Sequence, residues 1–419
     1  MHTLSGQTTT LFVGAAHVAR CDGPAAAGGQ DPAGESTGVA IAVRGGIIED
    51  VGAETELRST FRGATLVDCD GGLLTPGLID SHTHAVFGRW RAEEYVLRSQ
   101  GVPYMEIARQ GGGINASVRD LRGRSEDELV ELSLPRLHEM LEQGTTLAEV
   151  KSGYGLSTVD EIRMLRVIRR LAEMQPIELV PTFLGAHEVP PEFRGRADEY
   201  VSLIVEEMIP AVAEQGLARF CDVFMEPGVF DRAQTEKILR AGIEHGLVPK
   251  LHADELEWSG AAELAAELNA ASADHLGAIS REGVEALAAS GTVATLLPAT
   301  LFFLGRTRYA PARQLLDAGA TVALATDYNP GSSPTPSLPF ALTAACSQMG
   351  MAPSEALRAA TAGGAAALGL PSGRGTLSPG TPADLVLWHV KSVAELPYRL
   401  AARSCRAVWK SGQCVFRSS

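Results

Sequence analysis

From Leu73 to about Gly369, short apolar runs alternate with stretches whose apolar residues recur at helical spacing. Strands joined by helices in a parallel sheet leave that pattern. Eight runs read as strands: Leu78–Ser81, Thr146–Val150, Glu178–Thr182, Asp222–Met225, Val248–His252, Ala273–His275, Val293–Leu296 and Val322–Ala325. Glu126–Glu142, Asp160–Glu173 and Ala261–Leu268 read as helices between them. Eight such units in succession predict an α/β fold, a (β/α)8 TIM barrel over residues 76–370.

The flanks have a different rhythm. Thr10–Val13, Val39–Val43, Ile47-Ile48 and Ala64–Val67 are β-like, with a turn signal at Gly45-Gly46 and a loop from Gly23 to Gly38. After the barrel, Ala383–Val390 and Cys405–Lys410 read as strands. Each flank is short for a core of its own. Residues 1–75 and 371–419 are therefore expected to pack together as one composite β-sandwich domain.

Charge and composition narrow the function. Lys+Arg is 36 and Asp+Glu is 50, a formal net charge of −14. No basic stripe interrupts this balance, so nucleic acid and anionic membrane are not expected partners. No apolar run reaches the ~18 residues of a membrane span. Met1–Thr10 lacks the basic and apolar regions of a secretory leader. The six cysteines form no Cys-x-x-Cys pair and read as reduced thiols. These features predict a cytoplasmic protein.

The chemistry starts at Asp80-Ser81-His82-Thr83-His84. Residues i and i+2 of a strand share a face, so His82 and His84 would project together from the end of the first barrel strand. That end of a barrel carries the active site, and paired imidazoles suit a metal. Taken alone, the pair also suits two core or surface histidines. His252 ends the fifth strand, His275 the sixth, and Asp327 follows the eighth. Four strand ends bearing ligand-type side chains on one rim make a metal site the economical reading. Gln110-Gly111-Gly112-Gly113 lacks the Gly-Lys-Ser/Thr ending of a phosphate loop.

His-x-His on strand one, histidines on strands five and six and an aspartate on strand eight resemble the amidohydrolase superfamily. Some members hold two metals through a carboxylated lysine on strand four. Cys221–Glu226 contains no lysine, and Lys151 lies by the second strand. The resemblance therefore implies one divalent metal per chain, Zn²⁺ or Fe²⁺, on His82, His84, His252 and Asp327.

Longer strings narrow the resemblance. Val86-Phe87-Gly88-Arg89, Gln110–Ile114, Glu149–Gly155, Phe183–Glu188 and Thr326–Ser333 are similar to the imidazolonepropionase family. Ser81 departs from the proline expected there. The resemblance implies hydrolysis of the ring carbon–nitrogen bond of 4-imidazolone-5-propanoate to N-formimino-L-glutamate, in histidine degradation, by a metal-activated water. It implies proton transfer by Glu255, shared with Asp327, and oxyanion support from His275, which could instead orient a ligand. Arg91 would grip the propionate. Tyr154, His187, Asn329, Gly331 and Ser332 would line the pocket with Glu255. A small anionic substrate and a homodimer follow from the same resemblance. A nucleobase deaminase of the superfamily is the alternative, although a neutral base needs no arginine clamp. A non-catalytic scaffold on this fold would have lost ligands that are all present here.

Overall fold

The computed structural model describes residues 8–24, 31–102, 104–109 and 111–418. Residues 25–30 of the expected Gly23–Gly38 loop, and Gln110 of the glycine string, lie outside the described residues. All eight expected barrel strands are present, as Leu78–Asp80, Thr145–Lys151, Glu178–Ala186, Phe220–Met225, Val248–Ala253, Ser272–His275, Val293–Leu296 and Val322–Leu324. They pair in parallel and in chain order. Thr83 and Tyr328 bridge the seam between the eighth strand and the first. There, the Asp327 amide donates to the His82 carbonyl (3.0 Å) and the His84 amide to the Tyr328 carbonyl (2.9 Å).

Side-chain alternation sorts each strand. In Thr145–Lys151, Ala148 and Val150 pack in the main apolar core, whereas Leu147 packs with Ile79, Val180 and Phe220 in a separate apolar plug. Glu149 and Lys151 share the parity of Leu147, so they stand above that plug, inside the barrel. The helices start on clear signals. Ser125 caps Glu126–Glu142 through a capping box with Glu128, and Asp231 caps Arg232–Glu244 with Gln234.

The flanking segments form two sheets. One has four strands, in the order Ile47–Ala53, Val39–Arg44, Thr10–Val13, Thr65–Asp68. The other has six: Gln413–Arg417, Cys405–Lys410, Leu385–Trp388, Leu73–Pro76, His17–Ala19 and Glu35–Ser36. Three of these six come from each end of the chain. Phe12, Ile41 and Val43 of the first sheet pack with Leu74, Leu385 and Trp409 of the second. The sandwich is therefore composite. Its expected strands are found, while His17–Ala19, Glu35–Ser36, Leu73–Pro76 and Gln413–Arg417 were not expected. They are two to five residues long and carry little alternation.

Trp388 ties sandwich to barrel. It is fully buried, and its Nε1 donates to Thr75 Oγ1 at 2.9 Å. Gly144 packs on it at φ +93°, where a Cβ would lie 2.7 Å from the indole. Only glycine meets both conditions. No helix among the described residues is long and apolar enough to cross a membrane.

Candidate active site and metal centre

The strand ends bring His82, His84, His252, His275 and Asp327 together at one mouth of the barrel. His82, His84 and Asp327 offer ligand atoms within 4.8 Å of one another, and so do His82, His252 and His275. Asp327 Oδ1 lies 3.6 Å from His82 Nε2 and 3.4 Å from His84 Nε2. Thr300 donates to its other oxygen at 2.7 Å. All five residues are at most 6% exposed.

Buried polar atoms are normally hydrogen-bonded, so exceptions need a reason. Nε2 of His82, His252 and His275 is buried without a hydrogen-bond partner among the described residues. Meanwhile His82 Nδ1 is 2.6 Å from Asp274 Oδ2, and His252 Nδ1 is 3.1 Å from Asp222 Oδ1. A carboxylate on Nδ1 leaves the Nε2 lone pair free to ligate, which is how proteins orient metal-binding imidazoles. Burial, with the Lys151 ammonium among the further causes, holds His82, His84 and His275 well below their ordinary pKa. They are neutral, the form a metal takes. The donor set thus fits one divalent cation.

Strain accompanies the arrangement. His275 (φ 80°) and Asp327 (φ 54°) both occupy the left-handed region. Such residues cost roughly 1–3 kcal/mol and persist where surroundings over-determine them. Around Asp327 the determinant is Asp80, whose oxygens accept from the Thr326 amide (3.0 Å) and hydroxyl (2.6 Å).

Glu255 follows His252 on the next loop. Its Oε2 lies 3.7 Å from His275 Nε2. Burial, then the charges of Asp327 and Glu226, push its carboxyl up to about 8. Glu226 shapes this loop by accepting from the amides of Glu255, Leu256 and Glu257 at 3.1, 3.2 and 2.7 Å.

On the other side, His187 stacks on His84 with ring centroids 5.0 Å apart, and Tyr154 is 5.5 Å from His187. Burial and His252 lower the His187 pKa to about 3. His187 Nδ1 donates to the Gly153 carbonyl at 3.0 Å. Glu161 organises the Tyr154 loop, accepting from the Gly155 and Leu156 amides at 2.8 Å each.

Arg91 is the most informative polar side chain outside the histidines. Its Nε and Nη1 are buried without a hydrogen-bond partner among the described residues, where Glu94, 3.8 Å away, is its nearest carboxylate. Its charge also helps depress His187. Gly331 is its seat, since any Cβ there would overlap the guanidinium. The loop from Asn329 to Ser332 is hydrogen-bonded within itself. Asn329 Oδ1 accepts from the Gly331 and Ser332 amides (2.8 Å each), and its Nδ2 donates to the Asp327 carbonyl and Ser332 Oγ. These groups hold the loop together beneath Arg91.

Sequence reasoning missed what lies under the histidines. Lys151 ends the second barrel strand, fully buried, with Nζ 2.7 Å from Asp222 and 2.8 Å from Glu149. Lys250 Nζ is 2.8 Å from Glu149. The legible signal was charge at every second position, Glu149-x-Lys151 and Lys250-x-His252, in strands otherwise apolar.

Residues 73–415 match the amidohydrolase family model. The chain is 48% identical to the imidazolonepropionase of Myxococcus xanthus over 382 residues, 91% of this chain and 90% of that protein. It is 48% identical to the imidazolonepropionase of Symbiobacterium thermophilum over 410 residues, 97% and 96% of the two chains. Among solved structures, Escherichia coli guanine deaminase superposes with a TM-score of 0.76 at 15% identity, covering 98% of this chain and all of that one. A zinc-bound adenosine deaminase from Xanthomonas campestris gives 0.72 at 19% identity, covering 97% and 92%. At such identities these two speak for the fold alone. Identity near one half along nearly the whole chain says more: this chain belongs to the amidohydrolase family and, within it, to the imidazolonepropionases.

Proposed function

We propose that the chain hydrolyses 4-imidazolone-5-propanoate to N-formimino-L-glutamate. Water adds across the ring carbon–nitrogen bond, so the carbonyl carbon gains oxygen and the released nitrogen gains a proton. The observation that carries this reading is that buried Nε and Nη1 of Arg91, like the buried Nε2 atoms of His82, His252 and His275, find no hydrogen-bond partner among the described residues. That pairing suits a small carboxylate-bearing substrate at a metal.

His82, His84, His252 and Asp327 would hold the cation, with zinc and iron equally suited to the donor set. When bound, it supplies Lewis-acid polarisation of the ring carbonyl and lowers the pKa of water from ~15.7 to ~7. Arg91 grips the propionate with two parallel donors. Glu255, ionised by the positive charge of a bound cation, would take the proton of the attacking water and return it to the leaving ring nitrogen. His275 steadies the oxygen as it gains charge. Tyr154 and His187 flank the ring, while Asn329, Gly331 and Ser332 hold the Arg91 seat. Residues 1–75 and 371–419 act as one supporting unit beside residues 76–370. We further propose a cytoplasmic homodimer. The histidine-degradation role follows from the substrate.

The test is loss of imidazolonepropionate absorbance with purified, metal-loaded protein, coupled to detection of formiminoglutamate. No turnover by folded protein would sink the proposal, and ammonia release from a nucleobase would replace it with a deaminase. Arg91→Ala is expected to raise KM about 10–100-fold, since hydrogen bonds to charged groups are worth roughly 1.5–3 kcal/mol. An unchanged KM removes Arg91 from the clamp.

A further inference from the structure

Beneath the metal-site histidines lie five charged side chains with no solvent exposure: Glu149, Lys151, Asp222, Lys250 and Asp274. The reaction as derived above uses none of them. Barrel interiors are ordinarily filled by apolar layers, as the plug of Ile79, Leu147, Val180 and Phe220 fills this one lower down. Buried charges are tolerated only when well paired, so the pairing shows their purpose.

Lys151 Nζ sits 2.7 Å from Asp222 Oδ2, 2.8 Å from Glu149 Oε2 and 3.6 Å from Asp274 Oδ2. Lys250 Nζ sits 2.8 Å from the same Glu149 oxygen, 3.6 Å from Asp274 Oδ2 and 3.0 Å from the Ser81 carbonyl. Thr182 donates to the remaining Glu149 oxygen. Each lysine therefore bridges carboxylates from different strands. The far ends of these bridges are the imidazoles. Asp222 Oδ1 accepts from both the His252 amide (3.2 Å) and Nδ1 (3.1 Å), while Asp274 Oδ2 meets His82 Nδ1 at 2.6 Å. Ser272 donates to Asp274 Oδ1 at 2.5 Å. Asp222 thus has one oxygen on a lysine and one on His252. Neither carboxylate can rotate away from its imidazole without breaking a bridge to an ammonium group.

We propose that Lys151, with Lys250 beside it, is a positioning residue for the metal. The two ammonium groups pin Asp222 and Asp274 on Nδ1 of His252 and His82, so that both histidines present Nε2 to one cation. This rests on the metal reading above, and its readouts do not involve turnover, so a wrong substrate assignment leaves them intact.

The experiment uses the full chain with Lys151→Met, Asp222→Asn and the double variant. Zn²⁺ affinity is measured by chelator competition, and the ligand field by the visible absorption of the Co²⁺-substituted protein. Lys151→Met is expected to bind Zn²⁺ about 10–100-fold more weakly, the usual effect of losing a partner behind the ligands. Its Co²⁺ spectrum should shift. The double variant should be no weaker than the worse single variant, because Lys151 acts through Asp222. Unchanged affinity and spectrum in folded Lys151→Met, or single losses that multiply in the double variant, would overturn the proposal. Where Lys151→Met alone does not fold, the double variant, which removes both partners of the pair, decides. Zn²⁺ affinity equal to that of Asp222→Asn supports the proposal, and a further loss beyond Asp222→Asn overturns it.

Discussion

Replacing Asp327 by alanine is expected to lower kcat by at least ~10⁴-fold, and stripping the metal with a chelator should do the same. The magnitude follows from the nucleophile. A cation that takes water from a pKa of ~15.7 to ~7 raises the hydroxide available at neutral pH by roughly eight powers of ten. Even if half of that, in logarithmic terms, is lost to weaker nucleophilicity, ~10⁴ remains. Asp327 is the residue to remove because it is the one carboxylate among the four proposed ligands and touches both members of the His-x-His pair. Elemental analysis should find about one divalent ion per wild-type chain, with turnover restored to the stripped wild type by adding metal back. The variant should show neither. Metal retention with turnover in Asp327→Ala would refute the ligand set.

Glu255→Gln should lower kcat by about 10²–10⁴-fold, the usual worth of a positioned acid–base group, with a smaller change in KM. The glutamine keeps the shape and loses the proton acceptor. The same variant carries a second, independent signature in the metal-free protein. The Glu255 carboxyl is raised from 4.5 to about 8 by burial, then by Asp327 and Glu226. Between those values the folded state binds a proton that the unfolded state has released. Its contribution to stability is therefore present below pH 4.5 and is lost as pH rises through about 8. Denaturant titrations of metal-free protein should show stability falling across that window, with a shallower fall in Glu255→Gln. Equal slopes would mean that Glu255 is not held protonated.

The sequence was legible wherever one local pattern decides one outcome. Barrel strands such as Val293–Leu296 are short apolar runs bounded by helices, so all eight were recognisable. The candidate ligands were recognisable because they sit at strand ends, where His82 and His84 share a face by simple alternation. The strands Glu35–Ser36 and Gln413–Arg417 were not, since pairing with distant partners makes them strands and little in their own residues does. The buried lysines hid for a related reason. A charge at every second strand position usually marks a solvent face, and only barrel closure turns that face inward. Asn329 illustrates the same limit. Its donors were legible, but their engagement by Asp327 and Ser332 depends on how the loop folds.

The seam of the barrel has a consequence for biosynthesis. Asp80 fixes Thr326 from 246 positions away, and Leu73–Pro76 waits for Leu385–Trp388 as its sheet neighbour. A ribosome adding ~5–20 residues per second needs on the order of tens of seconds to span that interval. Throughout it the nascent chain carries His82 and His84 without Asp327, and an open sheet edge beside them. Chaperone occupancy and premature metal capture should both concentrate in that window, before the eighth strand emerges.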